Sequence, residues 1–200
     1  MNCTGKVFPA ARKSARNVES NARRVYIIGI MEKSETKFVE LATPESLAVV
    51  RAIAAEIWPE TFRSILPEEQ IPYMMKMMYA PEVMERELAS GVRFDALYVD
   101  GVPAGYVSYS RYDLPGTAKL HKVYLLSRYH GKGYGTLMLK HVTERCRELG
   151  FSRLRLNVNK HNVRAIVAYE RNGFSRAESV KIDIGGGFFM DDYVMEKPLA

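Results

Sequence analysis

The chain has 200 residues, 47% of them apolar and 26% charged, with Phe, Trp and Tyr spread from end to end. That size and balance fit one globular domain with a real hydrophobic core; they exclude global disorder and leave little room for a second independent domain. The formal charge of +6 could suggest a nucleic-acid binder, but Lys6, Arg12, Lys13, Arg16, Arg23 and Arg24 stand against Glu19 alone in residues 1–24, and the rest is nearly neutral. Residues 1–30 are therefore set apart as a basic extension, expected to be disordered or a mis-started leader, with an organellar targeting segment or weak nucleic-acid tether as alternatives. No strong nucleic-acid signal is left in the body, which spans 31–200. Val25 to Ile30 is too short to cross a bilayer and no apolar run of the needed length occurs, so no membrane partner is expected. Cys3 and Cys146 build neither a disulfide framework nor a thiolate metal site, which makes a reducing, cytoplasmic location the default expectation.

In chain order, Thr36 to Ala42 reads as a strand. Thr43 and Pro44 then open a helix that should stop near Ile57, ahead of Pro59. A second helix is predicted over Pro67 to Met78, where Ile71, Met74, Met75 and Met78 share one face; they are read as core, with an adaptable substrate pocket as the alternative. Between the two helices, Ile57 to Ile71 mixes aromatic and acidic residues and is where preference for a substrate should be written. Arg93 to Val99 and Val102 to Tyr109 flank Asp100-Gly101 and predict a hairpin. Ala118 to Leu126 adds a third strand. The rhythm then changes to a helix from Gly133 to Leu149, closed by Gly150, a strand over Ser152 to Val158, and a helix from Asn162 to Asn172. Strands over Phe174 to Ile184 and Phe188 to Glu196, joined by Gly185 to Gly187, complete an order of β-α-α-β-β-β-α-β-α-β-β. This is an α+β chain with a mixed, mostly antiparallel central sheet, one embedded crossover, and helices on both faces to bury it.

The stretch from His130 to Gly135 puts Gly131, Gly133 and Gly135 at the start of a helix. Helix N-termini offer unpaired backbone N–H groups and the positive end of the macrodipole, and glycine lets a phosphate come close to them. The dinucleotide fingerprint does not fit, because the last glycine arrives one residue early and the next strand ends in Asn157, Val158 and Asn159 without an acid. The mononucleotide loop does not fit either, since Tyr134, Gly135 and Thr136 stand where Lys and a hydroxyl residue are required. A diphosphate carrier of another kind is favoured, and a helix start without a ligand is the plain alternative.

His130, Gly131, Lys132, Gly133, Tyr134 and Gly135 resemble the Arg/Gln-x-x-Gly-x-Gly/Ala signature of the GNAT superfamily of N-acetyltransferases, with His in place of the usual Arg or Gln. Asn162, Ala165, Tyr169, Gly173 and Phe174 resemble the family's later Asn-x-x-Ala-x-x-x-Tyr-x-x-x-Gly-Phe motif. The resemblance covers roughly Thr36 to Glu196 and implies an acyl-CoA N-acyltransferase domain that moves acetyl from acetyl-CoA directly to an amine, either of a small molecule or of a protein. It implies that backbone of Val123, Leu125 and Leu126 holds the pantetheine arm. The turn from His130 through Gly131, Lys132, Gly133, Tyr134 and Gly135 to Thr136 would hold the pyrophosphate, Asn162 and Ala165 would meet the cofactor arm, and Tyr169 would be the general acid.

Seven residues separate Asn162 from Tyr169, close to two helical turns, which puts them on one face. His121, on the strand before the glycine turn, is the candidate base; a plain edge or pocket residue is the other reading. His130 belongs to the turn, His141 reads as helical and solvent-facing, and His161 precedes a helix. No metal is expected, because the histidines lack ligand spacing, and no nucleophile elbow is present. Asp191 and Asp192 could attract a cationic substrate or be a hairpin charge pair. A homodimer through an exposed sheet edge is possible. The rivals to an enzyme are a CoA-binding regulatory module without catalysis and a structural protein.

Overall fold

The computed structural model describes residues 34–199, and the basic extension read over residues 1–30 lies outside them. Strands are β1 (Thr36–Glu40), β2 (Arg93–Val99), β3 (Val102–Arg111), β4 (Thr117–Leu125), β5 (Arg153–Asn159), β6 (Ser175–Gly185) and β7 (Phe188–Pro198). Helices are α1 (Ala48–Phe62), α2 (Gln70–Tyr79), α3 (Pro81–Ala89), α4 (Tyr134–Glu148) and α5 (Val163–Arg171). The described strands form one seven-stranded sheet in the order β1-β2-β3-β4-β5-β7-β6. Neighbours run antiparallel except β4 and β5, which are parallel and joined through α4. The α+β expectation holds, as does the β2–β3 hairpin: Asp100 and Gly101 have φ of 51° and 78°, and positive values at both positions match the twist of the flanking strands.

The two faces of the sheet carry separate cores. On one, Met138, Leu139, Val142 and Cys146 of α4 and Ile166 of α5 pack on Leu97, Val107, Leu120, Leu154, Leu156 and Met195. Cys146 is a core residue, its thiol pushed up to about 12 by burial. On the other, α1, α2 and α3 bury Val50, Ile53, Trp58, Met74 and Met84 against Phe94, Ala96 and Tyr106, and the methionines of α2 belong to this core. Strand β6 is one of the two edge strands, and its side chains are mostly exposed.

Two elements depart from the sequence reading. Helix α1 continues through Pro59 to Phe62 instead of stopping at Ile57. A proline inside a helix removes one donor and crowds the carbonyl four residues back, a cost of about 3 kcal/mol. Burial of Trp58 and Phe62 offsets it: their ring centroids lie 4.4 Å apart, and Trp58 sits 5.9 Å from Tyr124 of β4. The other departure is α3, which was not anticipated. Its role is electrostatic as well as apolar, since Glu87 meets Lys122 of β4 with Nζ 2.7 and 2.6 Å from the two carboxylate oxygens.

Lys122 is 2% exposed and lies over the rings of Tyr79 and Phe94. Burial pulls its pKa down while Glu87 pushes it back up. A buried ammonium that loses its counter-ion costs several kcal/mol. Glu87→Gln should therefore destabilise the fold by about 3 kcal/mol, read as a lower urea midpoint at unchanged slope, and Lys122→Met in the same chain should recover most of the loss.

Candidate functional site

Parallel pairing of β4 with β5 runs from Thr117↔Arg153 to Leu120↔Leu156 and ends there. Beyond that point β4 stays with β3 as far as Gly105↔Leu125, and β5 stays with β7 as far as Asn159↔Asp192. The strands part where β4 is irregular. Lys122 faces Ser108 while Leu120 faces Tyr109, so His121 is an extra residue on β4. A bulge of this kind bends its strand and re-aims a side chain. The gap opens into a cleft of about 1020 Å³ that reaches both faces of the sheet. Gly133, Thr136, Asn162 and Tyr169 line it on the α4/α5 side, Ile57, Glu60 and Ile65 on the α1 side, with His121, Val123, Leu125, Asn157 and Asn159 between.

The turn before α4 takes its path from glycine. Gly131 and Gly133 have φ of 75° and 87°, values that side chains other than glycine rarely adopt, and Gly133 is the N-cap of α4. Gly135 has no such constraint, and a Cβ built on it would meet no protein atom within 4 Å. The bare position faces open cleft, which is what close approach of a ligand to the backbone would need. Leu137 N bonds Gly133 O at 3.0 Å, so the amides of Tyr134, Gly135 and Thr136 lie in the first turn, ahead of the intrahelical ladder.

His130 takes a different part from its neighbours. Its amide donates to Ser127 O at 2.9 Å and its Nε2 lies 2.8 Å from Leu125 O. A carbonyl only accepts, so Nε2 carries the proton and the ring ties the turn to the end of β4. The His130 amide is therefore not among the free donors. Leu126 likewise turns away: its amide donates to Ala104 O at 2.9 Å and its side chain is 2% exposed in the α1–α3 core. Lys132 and Tyr134 direct their side chains to the Tyr129 ring, Nζ at 5.8 Å and ring centroid at 5.8 Å, outside the cleft lining.

Of the remaining residues singled out by sequence, Gly131, Asn162, Ala165 and Tyr169 all line the cleft together with Val123, Leu125, Gly133, Gly135, Thr136 and His121. Asn162 caps α5, its Oδ1 accepting from Ala165 N at 3.2 Å. Tyr169 packs edge-on to Phe174 at 5.7 Å, and burial raises its phenol above the ordinary value, so the proton stays on at neutral pH. His121 lines the cleft with Nε2 2.8 Å from Ser110 Oγ. That hydroxyl donates to Arg111 O at 3.0 Å, so Nε2 is the donor to Ser110 and Nδ1 keeps a free lone pair.

Sequence reasoning missed several features of this region. His141 is half-buried: it stacks on Phe38 at 3.7 Å and its Nε2 lies 2.7 Å from the buried Asp95 carboxylate. Asp191 pairs with Lys160, and Asp192 is buried 3.5 Å from Asn157 Nδ2. Asn157, whose Oδ1 accepts from Lys119, was noted only as the wrong residue for a ribose. The apolar alternation of β5 signals a strand, but the point where β4 leaves it has no local signature.

The comparisons agree with this geometry. Residues 52–174 match the acetyltransferase (GNAT) family model, and the chain belongs to that family. It is 25% identical over 158 residues to a spermidine N(1)-acetyltransferase of Thermoplasma acidophilum, covering 76% of this chain and 91% of that one. It is 36% identical over 93 residues to the streptothricin acetyltransferase of Streptomyces lavendulae, covering 46% and 48%. Among solved structures, the PaiA N-acetyltransferase of Thermoplasma acidophilum in complex with coenzyme A superposes with a TM-score of 0.68 at 23% identity, over 82% of this chain and 99% of that one. The ribosomal-protein-S18-alanine N-acetyltransferase of Escherichia coli gives 0.63 at 18% identity, over 83% and 95%.

His121 is held down to about 4, first by desolvation, then by the cations of Lys122 and Lys119. Because the folded value lies below that of a free imidazole, the unfolded chain takes up this proton first, and stability is lost as pH falls from about 6.5 toward about 4. The His121 ring resonances should titrate with a midpoint near 4, and Lys119→Gln should move that midpoint upward. A midpoint near 6.5 in the native chain would contradict the assigned environment.

Proposed function

We propose that the protein moves the acetyl group of acetyl-CoA directly to the nitrogen of an amine, carried by a small molecule or a protein. The observation that carries this reading is the bare Gly135 at the start of α4, beside first-turn amides that face a cleft opened by the parting of β4 and β5. The first-turn amides of Tyr134, Gly135 and Thr136 suit the pyrophosphate, with Gly131 and Gly133 giving the turn its path and Lys132 adding positive charge nearby. The open edge of β4 at Val123 and Leu125 suits the amide-bearing pantetheine arm, with Asn162 and Ala165 on the facing wall. Val163 and Val167 are 65% and 36% exposed, and Val167 offers an apolar surface within that wall. A relative named for spermidine supports an amine acceptor.

Acetyl-CoA would supply an activated thioester. The amine nitrogen forms a bond to the acetyl carbonyl carbon, the carbon–sulfur bond breaks, and Tyr169 gives its phenol proton to the departing sulfur. A phenol whose proton is retained by burial is present in the donating form throughout the neutral range. His121 is neutral there as well, and Nδ1 can accept a hydrogen bond from the attacking amine and orient its lone pair. With its pKa near 4 it is a weak base, so the amine's proton finally passes to water, and Tyr169 takes a proton back from water to close the cycle.

Two measurements test the reading. Gly135→Val should leave the thermal midpoint near that of the parent while CoA binding weakens at least tenfold by calorimetry, because the added Cβ enters open space and the side chain fills the cradle. Tyr169→Phe should lower kcat for acetyl transfer by about a hundredfold, the lower end for loss of a general acid, with CoA affinity retained. An unchanged kcat would remove Tyr169 from the acid role, while CoA binding without any acetyl transfer by the parent chain would favour a CoA-binding module without catalysis.

A further inference from the structure

The stretch from Ile57 to Ile71, rich in aromatic and acidic residues, reaches the cleft through the end of α1. Ile57, Phe62 and Ile65 make an apolar floor there, with Thr61 and Ser64 bringing hydroxyl groups and Glu60 a carboxylate. Glu60 is exposed and has no ion-pair or hydrogen-bond partner among the described residues. Its neighbour one turn back, Glu56, is neutralised by Arg128. Arg63, the next cation along the chain, lies outside the cleft lining.

Charge is divided between the walls. The opposite wall presents the N-termini of α4 and α5, and two guanidinium groups, Arg164 and Arg171, line it without an ion-pair partner among the described residues. That wall favours anions. On the near wall Glu60 stands in the last turn of α1, at the negative end of its dipole, with Ser64 just beyond and no basic residue in that turn; the C-cap, Arg63, lies outside the cleft lining. A cation is repelled by one wall and attracted by the other.

We infer that the acceptor is a diamine or polyamine whose second ammonium group binds Glu60 and the C-terminal end of α1, with its methylene chain on Ile57, Phe62 and Ile65. This deepens the acetyl-transfer reading and rests on it. The far ammonium sets the reach of the chain, so the near nitrogen arrives at the parting of β4 and β5 as the attacking group. Glu60 selects the acceptor; it takes no part in bond making.

The test compares 1,4-diaminobutane with 4-amino-1-butanol, which keeps length and one amine but replaces the second ammonium by a hydroxyl. The full chain should favour the diamine in kcat/KM by about fivefold to tenfold, in the range of one partly screened ion pair with a charged hydrogen bond. Glu60→Gln should bring the ratio near one, chiefly through KM, Glu60→Asp should restore part of it, and Glu60→Lys should turn preference toward 4-aminobutanoate. Equal use of both amines by the parent chain, or a ratio unmoved by Glu60→Gln, overturns the inference and leaves acetyl transfer standing. Failure of every amine to release CoA thiol, together with absent CoA binding, overturns both.

Discussion

The parting of β4 from β5 is the constraint on which the rest of the molecule depends. A closed sheet would satisfy its backbone through the ladder and leave no passage between its faces. Here the parallel pair ends after Leu120↔Leu156, each strand keeps its outer partner, and the bulge at His121 turns β4 away. The backbone left open at the parting is tolerable because it faces an open cleft, where water or a ligand can satisfy it. The same opening puts the start of α4, the cap of α5 and the end of α1 around one space.

Two separate cores hold the parting in place. Helices α4 and α5 are pinned to one face by Met138, Val142 and Ile166, and α1–α3 to the other by Trp58, Met74 and Met84. The buried Lys122–Glu87 pair ties α3 to β4 next to the bulge. Buried ion pairs add little net stability but tolerate poorly the loss of one partner, which suits them to fixing a strand's register. On the other face the carboxylate of Asp95 holds His141 and accepts from Tyr109 OH at 3.0 Å, joining α4 to β2 and β3. Tyr109 lies at the other side of the bulge, so both buried polar clusters brace the same irregularity from opposite faces.

Electrostatics then divide labour within the cleft. Helix N-termini and guanidinium groups lie on one wall, while a helix C-terminus and the Glu60 carboxylate, unpaired among the described residues, lie on the other. Helix dipoles are set by chain direction, so this polarity follows from topology before any side chain is chosen. The side chains reinforce it.

By itself the sequence determined the element types, the mixed and mostly antiparallel sheet, the hairpin at Asp100-Gly101 and the glycine turn before α4, because each is written in local spacing: period two for strands, a stripe for helices, glycine where φ is positive. It also brought Asn162 and Tyr169 to one face, since helical geometry needs no tertiary partner. Tertiary structure alone decided where β4 leaves β5, that α1 runs through Pro59, that the His130 ring at the cleft wall binds Leu125 O, and that Leu126 turns into the core. It decided too that Glu60 has no partner among the described residues while Glu56 has Arg128. These depend on contacts between residues far apart in the chain, and burial of Trp58 or pairing of Glu56 with Arg128 overrides any preference that nearby residues express.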